Sequence, residues 1–252
     1  MSTFSSTVLT RLRKLLPDTP DNEQIYFSAL RKQGRFWVDD PERPTVFVAV
    51  TGGNAPVCFL RELVPDADVD WEAALHTVNP KSALAGEVGL IRSLSKRLEY
   101  GAPSIEVVCA QRGIIRTNGE LAVQVVRYSK EAFDLVDRNA RWMWDAYRGI
   151  HHALEDFPAF GIYEGKRIVA LAAVYSHSLK WANICYWVHE NFRHREYATR
   201  CAAALTSLLN KRGLSAVAST DETHLPSLSV MRKIGLHEYS RHGFAPPKSS
   251  SR

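Results

Sequence analysis

Apolar residues recur at helical spacing from the start of the chain. Leu9, Leu12, Leu15 and Leu16 fall on one side of a helix over residues 4–16, and a second helical pattern covers 22–34. The period then shortens to two. Residues 45–50 alternate as a strand, Thr51, Gly52, Gly53 and Asn54 make a hairpin turn, and 56–63 return. Residues 71–78 and 84–99 read as helices. Segments 105–110, 113–116 and 121–127 are β-rich, with Thr117, Asn118, Gly119 and Glu120 as a second hairpin turn. A long helix over 131–147 then carries Phe133, Val136, Ala140, Trp144 and Tyr147 along one stripe.

The second half repeats the shift between periods. Strands are expected at 160–164, 168–176 and 183–189, with a turn at Gly165, followed by a helix over 196–211. A short strand at 215–219 and a helix at 225–234 come next, with Gly235 as the C-cap. The order from 131 to 240 is α, then β-β-β-α-β-α, which predicts a mixed α/β sheet with helices on both faces. We therefore divide the chain into an N-terminal α+β unit (1–128), a C-terminal unit (129–244) and a polar tail (245–252). The N-terminal unit has two readings. It is a diverged copy of the C-terminal fold, or an unrelated cap that supplies one wall of a substrate pocket.

Composition narrows the class. The chain has 252 residues, 45% hydrophobic and 23% charged, as in ordinary globular proteins, and no apolar run reaches membrane-spanning length. Residues 1–17 are Ser/Thr-rich with Arg11, Arg13 and Lys14, which suits a transit peptide or an amphipathic helix. The helix is the better reading, because no secretory apolar core or cleavage site follows. Cys58, Cys109, Cys185 and Cys201 lie far apart without a C-x-x-C pair, so they read as buried thiols of a reducing, cytoplasmic compartment. His151 and His152 are adjacent and would point to different sides of a helix, so no metal site is expected. The formal charge of +5 permits a polyanionic partner but is spread along the chain.

The richest chemistry lies where the strand ending at His189 meets the helix after Glu196. The loop reads Arg193, His194, Arg195, Glu196, Tyr197, Ala198, Thr199. A helix start leaves amides unpaired and carries partial positive charge, which suits phosphate. This spacing resembles the acyl-CoA pyrophosphate loop of the GNAT (Gcn-five-related N-acetyltransferase) superfamily: Arg or Gln, two residues, Gly, one residue, Gly or Ala. Arg193 and Ala198 match it, and Glu196 stands where the first Gly would be. Downstream, Ser227, Lys233, Gly235 and Leu236 sit where similar members place Ser, Lys, Gly and Phe.

The resemblance implies the GNAT fold over about residues 131–240, with two central parallel strands that splay apart around the donor's pantetheine. It implies acyl-CoA, acetyl-CoA for example, as donor, a small-molecule amine as acceptor, and no metal or membrane partner. Arg193 to Thr199 would hold the phosphates, His224 and Ser227 would flank the pantetheine, and the Val188 N–H would face the oxyanion. Three family positions depart from the pattern. A frequent Glu base is Asn183, a frequent pantetheine-binding Asn is His224, and a frequent Tyr acid is Met231. Neither Asn183 nor Met231 can exchange a proton near neutrality. His177 and His189 are the nearest replacements by residue type.

Glu196 has two readings as well. Its carboxylate occupies part of the anion site, offset by Arg193, His194 and Arg195, or it points to solvent. A weakened loop, a large N-terminal half and a basic balance also suit a transferase that takes its acyl group from aminoacyl-tRNA. A third reading is a degenerate, non-catalytic binding module. Trp142, Trp144, Tyr147, Trp181, Tyr186 and Trp187 are candidates for an aromatic acceptor pocket, although such a stripe is more often core.

Overall fold

The computed structural model describes residues 6–31, 33–51, 56–65, 69–75, 78, 81–113, 123–127, 130–136, 140 and 157–247. Turn residues 52–54 and 117–120, the strand expected at 114–116 and most of the helix expected at 131–147 lie outside the described residues, as do Trp142, Trp144, Tyr147, His151 and His152.

The chain opens with α1 (Ser6–Leu15), a 3-10 turn (Pro20–Asn22) and α2 (Glu23–Leu30). Strands β1 (Arg35–Val38), β2 (Val46–Val50) and β3 (Val57–Glu62) follow, then α3 (Trp71–Leu75), β4 (Ala83–Gly86), α4 (Val88–Arg97) and β5 (Ser104–Gln111). The second half holds β6 (Gln124–Val126), α5 (Lys130–Leu135), β7 (Ala159–Glu164), β8 (Arg167–His177) and β9 (Trp181–Val188). It ends with α6 (Tyr197–Lys211), β10 (Ser215–Asp221), α7 (Leu225–Lys233) and β11 (Leu236–Ala245). No helix among the described residues is long and apolar enough to cross a membrane.

The eleven strands among the described residues form one mixed sheet, in the order β1-β2-β3-β4-β11-β5-β10-β9-β8-β7-β6. Outward from the central antiparallel pair β11–β5, both sides give the same succession. An antiparallel neighbour (β4 or β10) is followed by a parallel one (β3 or β9) and then two antiparallel ones (β2 and β1, or β8 and β7). The inner strands are exchanged. β5 of the first half lies between β11 and β10, and β11 of the second lies between β4 and β5. Neither half therefore closes its own sheet.

Alternation along the strands sorts the core onto two faces. In β2, Phe47 and Ala49 join Phe59, Ala85, Ile25 and Leu12 under α1 and α2. Val46 and Val48 join Cys58, Leu60, Leu84, Trp71 and Ile91 under α3 and α4. The larger core of the second half gathers β7 to β10 against α6, with Leu171, Val174, Ile184, Cys201, Leu205 and Met231 all buried.

Three segments depart from the sequence expectation, the first being β1 (Arg35–Val38), a strand where none was expected before residue 45. Residues 83–86, Ala-Leu-Ala-Gly, form strand β4 rather than the start of a helix. Their helical propensity yields to ladder bonds on both sides, from β3 and β11, and all four residues are buried. The helix begins afterwards, where the Glu87 carboxylate accepts from the Leu90 amide at 2.8 Å. Strand β11 was not legible either, because a register shift between Glu238 and Ser240 breaks its alternation.

Candidate active site

The parallel pair β9–β10 is held only at its beginning, where Trp181, Ala182 and Asn183 face Ser215, Ala216 and Val217. Beyond that point β9 continues to pair with β8, and β10 with β5. The two strands thus part after Asn183 and Val217, leaving a gap through the sheet. The His189 N–H donates to the Val169 carbonyl at 2.8 Å, and Val188 lies opposite Ala170. In an antiparallel ladder the bonded and non-bonded pairs alternate. The Val188 N–H is therefore turned away from β8, toward the gap.

A cavity of about 860 Å³ runs through this gap. On the α2 side it meets Gln24, Glu106, Tyr175, Asn183 and Cys185. On the other side it meets Tyr186, His224, Ser227 and Met231. It also extends along the first half, against Val57, Phe59, Ala83 and Ala85. Tyr186 reaches from β9 to the first turn of α7. Its hydroxyl donates to the Ser227 carbonyl at 2.9 Å and shares a 2.7 Å bond with the Ser227 hydroxyl. Burial pushes the Tyr186 phenol up to about 12, against the lowering effect of Ser227.

At the mouth of the gap the chain makes a 3-10 turn (Glu190–Phe192), and Nδ1 of His189 accepts from the Asn191 amide at 3.2 Å. The helix α6 then starts without a side-chain cap. Its first amides are left for another acceptor. Arg193, His194 and Arg195 are exposed beside them, with the Arg195 guanidinium 5.1 Å from the centre of the Phe192 ring. His194 and Glu196 both adopt left-handed backbone, with φ of 62° and 60°. That conformation explains the family's Gly at position 196, since a side chain is disfavoured there. The Glu196 carboxylate is turned outward, to Lys233 Nζ at 2.8 Å, and that pairing holds it below the usual carboxylate range. Tyr197 stacks on Phe192 and donates to Glu164 at 3.1 Å, while Ala198 and Thr199 are half-buried in the first turn of α6.

The other expected site residues separate into two groups. Asn183, His224 and Ser227 line the cavity. His224 is exposed, and its Nδ1 lies 3.3 Å from the Thr220 hydroxyl. His177 lies elsewhere. Its Nδ1 is 3.1 Å from the Ser178 carbonyl, and its ring meets Phe27 and Phe157 edge-on, each at 5.3 Å. The His189 ring similarly packs against Trp187 and Phe192. Trp181 donates from its indole to the Asp18 carbonyl at 3.2 Å.

Two carboxyl groups from the first half reach this region, and sequence motifs gave no sign of either. Glu23, at the start of α2, is 1% exposed and accepts from the Ser176 hydroxyl at 3.0 Å. Burial drives its carboxyl up to about 8, against the opposing effect of the neighbouring Ser176 and Asn183 side chains. Glu106 on β5 lines the cavity itself, and burial raises its carboxyl too, with His242 opposing and Asp221 adding to the rise. Both arrive through strand exchange and helix packing, which no local spacing encodes.

Comparison with known proteins agrees with this geometry. Residues 121–237 match the family model described as an acetyltransferase (GNAT) domain. No curated protein sequence matches the chain. Among solved structures, the chain is similar to a GCN5-related N-acetyltransferase-like protein from Streptococcus suis 89/1591. That match has TM-score 0.69 and 17% identity, covering 96% of this chain and 98% of that one. A GNAT-family acetyltransferase from Colwellia psychrerythraea gives TM-score 0.58 and 13% identity, over 97% and 98% of the two chains. A tandem GNAT protein from the clavulanic acid biosynthesis pathway gives 0.53 and 12%, over 86% and 84%. At such identities these structures speak for the fold, and they do so over nearly the whole chain. The motifs, the splayed strand pair and the family match over residues 121–237 agree, and the chain has the GNAT fold over nearly its whole length.

Proposed function

We propose that the protein is an N-acyltransferase that moves an acyl group from acyl-CoA, acetyl-CoA being the simplest donor, to the amine of a small molecule. One observation carries the reading: an uncapped helix start with three basic residues opens onto a gap that leads into a cavity. In this reading Arg193, His194 and Arg195, with the amides of Tyr197, Ala198 and Thr199, receive the pyrophosphate. The pantetheine lies along β9, flanked by His224 and Ser227. The thioester carbonyl points to the Val188 N–H, which stabilises the oxyanion as the amine attacks. The C–N bond forms first, giving the tetrahedral oxyanion. Its collapse breaks the C–S bond and expels CoA as the thiolate, which takes up the proton lost by the nitrogen, through solvent, to leave as the thiol.

Glu196 stands outside the phosphate path, because its carboxylate is committed to Lys233. Asn183 contributes to the cavity wall, and we assign His177 and His189 to packing and loop shape, from the contacts described above. The matching strand succession on either side of β11–β5 supports reading residues 1–128 and 129–244 as two diverged copies of one fold, with 245–252 as a tail.

The full chain, incubated with acetyl-CoA and a panel of primary amines, is expected to release free CoA thiol only when an amine is present, with the matching amide found by mass spectrometry. Amide formed from aminoacyl-tRNA but not from acetyl-CoA would replace the donor in this reading. Failure with both donors would leave a binding module.

A further inference from the structure

The cavity continues past the donor gap into the first half of the molecule, and there its character changes. The wall over β3 and β4 is apolar: Pro56, Val57, Phe59, Ala83 and Ala85, closed from β11 by Phe244. These strand residues point to the same face as α2, the face on which Ser176 meets Glu23. Between this wall and the gap stands Glu106, the one carboxylate among the described lining residues. It sits on β5 directly opposite Asp221 of β10 and His242 of β11, so the three share one row across the sheet. The His242 imidazole is already bonded to Asp21 at 2.8 Å. Among the described residues, none hydrogen-bonds the Glu106 carboxylate. Lys81, the lining cation on this side, is exposed to solvent and has an interaction of its own.

A part-buried carboxylate facing a cavity calls for a cation or a donor to balance it. An apolar chamber beyond it calls for a hydrocarbon body. Resting on the acyltransferase reading, we infer that the acceptor is a primary amine on an apolar alkyl or aryl body, with its ammonium on Glu106 and its body against β3 and β4 of the first half. The two halves then divide the labour. The second holds the donor, and the first selects the acceptor by its length and its charge.

The test uses the full-length protein and calorimetric titration with n-butylamine, n-octylamine and n-octanol, beside a separate titration with acetyl-CoA. Octylamine should bind about tenfold or more tighter than butylamine, since each buried methylene adds affinity. It should also bind about tenfold or more tighter than octanol. Glu106→Gln should bring octylamine and octanol within about twofold while leaving acetyl-CoA affinity unchanged. Val57→Phe, which fills the far wall, should weaken octylamine and spare butylamine, and it keeps the proposal testable should the Glu106 variant fold poorly. Equal binding of octylamine and octanol, no dependence on chain length, or an amine preference that survives Glu106→Gln overturns the inference. The underlying reading fails separately: if the amines behave as expected but acetyl-CoA does not bind, the amine site stands and the acyl donor falls.

Discussion

Among the described strands, two parallel pairs occupy matching positions of one sheet, and the segments after the two pairs differ sharply. After β9, the loop carries Arg193, His194 and Arg195 and leads to α6 of fifteen residues, whose start no side chain caps. After β3, residues 63–70 read Leu-Val-Pro-Asp-Ala-Asp-Val-Asp and lead to α3 of five residues. There the Asp70 carboxylate already accepts from the Ala73 amide at 3.0 Å. A helix start occupied by its own carboxylate, with two further Asp residues in the sequence before it, is disfavoured for phosphate, the opposite of the basic loop before α6. Similar topology therefore does not mean similar sites. The first half offers its face to the cavity instead, through Val57, Phe59, Ala83 and Ala85.

The largest effect expected from this division concerns how the halves are joined. Glu23 belongs to the first half but is buried against β8 and β9 of the second, with its carboxyl raised to about 8. An unfolded chain loses this proton near 4.5, while the folded protein keeps it until about 8. Across that window folding takes up a proton, so stability falls as pH rises, and the loss is complete above about 8. Glu23→Gln, neutral throughout, should match the wild type at pH 5 and exceed it by about 2 kcal/mol or more at pH 8. Denaturant unfolding at the two pH values checks this. Parallel pH profiles for both proteins would mean that Glu23 is ionised in the fold, and that the joint between the halves is not as described.

A smaller effect is expected at Glu196. Its left-handed backbone favours Gly, and its carboxylate faces Lys233 rather than the helix amides. Glu196→Gly should raise Tm by roughly 2 °C, the relief of the backbone outweighing loss of an exposed ion pair. Acetyl-CoA affinity should change by less than about threefold, because no like charge is removed from the phosphate path. A large gain in affinity would show that the carboxylate swings over the amides in solution.

These contrasts also mark how far the sequence alone reaches. The strand–loop–helix at 183–211 and the strand and helix at 215–234 were legible, because each combines a clean period with local turn chemistry. The parallel splay followed from the family resemblance and is present, with parting at Asn183 and Val217. β4 was not legible, since Ala83, Leu84 and Ala85 favour helix until both neighbouring strands bury them. Nor were Glu23 and Glu106. Glu106 reaches the cavity only because β5 inserts beside β10, and Glu23 only because α2 packs on β8 and β9. Histidines that looked chemically suitable, His177 and His189, are engaged in local contacts. Residue type named them, and the contacts they make lie in the final positions of their rings, which residue type does not encode.

The proposed acyltransferase reading expects a single donor site, at the start of α6 in the second half, because only one of the two described parallel pairs is followed by a basic loop. Calorimetric titration of acetyl-CoA into the full-length protein should therefore give one site per chain. The variant carrying both Arg193→Ala and Arg195→Ala should lose about tenfold or more in affinity, since each charge-assisted phosphate contact is worth about 1.5 kcal/mol. Added salt should weaken the wild type more than the variant. Two sites per chain, or an affinity unchanged by the double substitution, would contradict a single donor site at this loop.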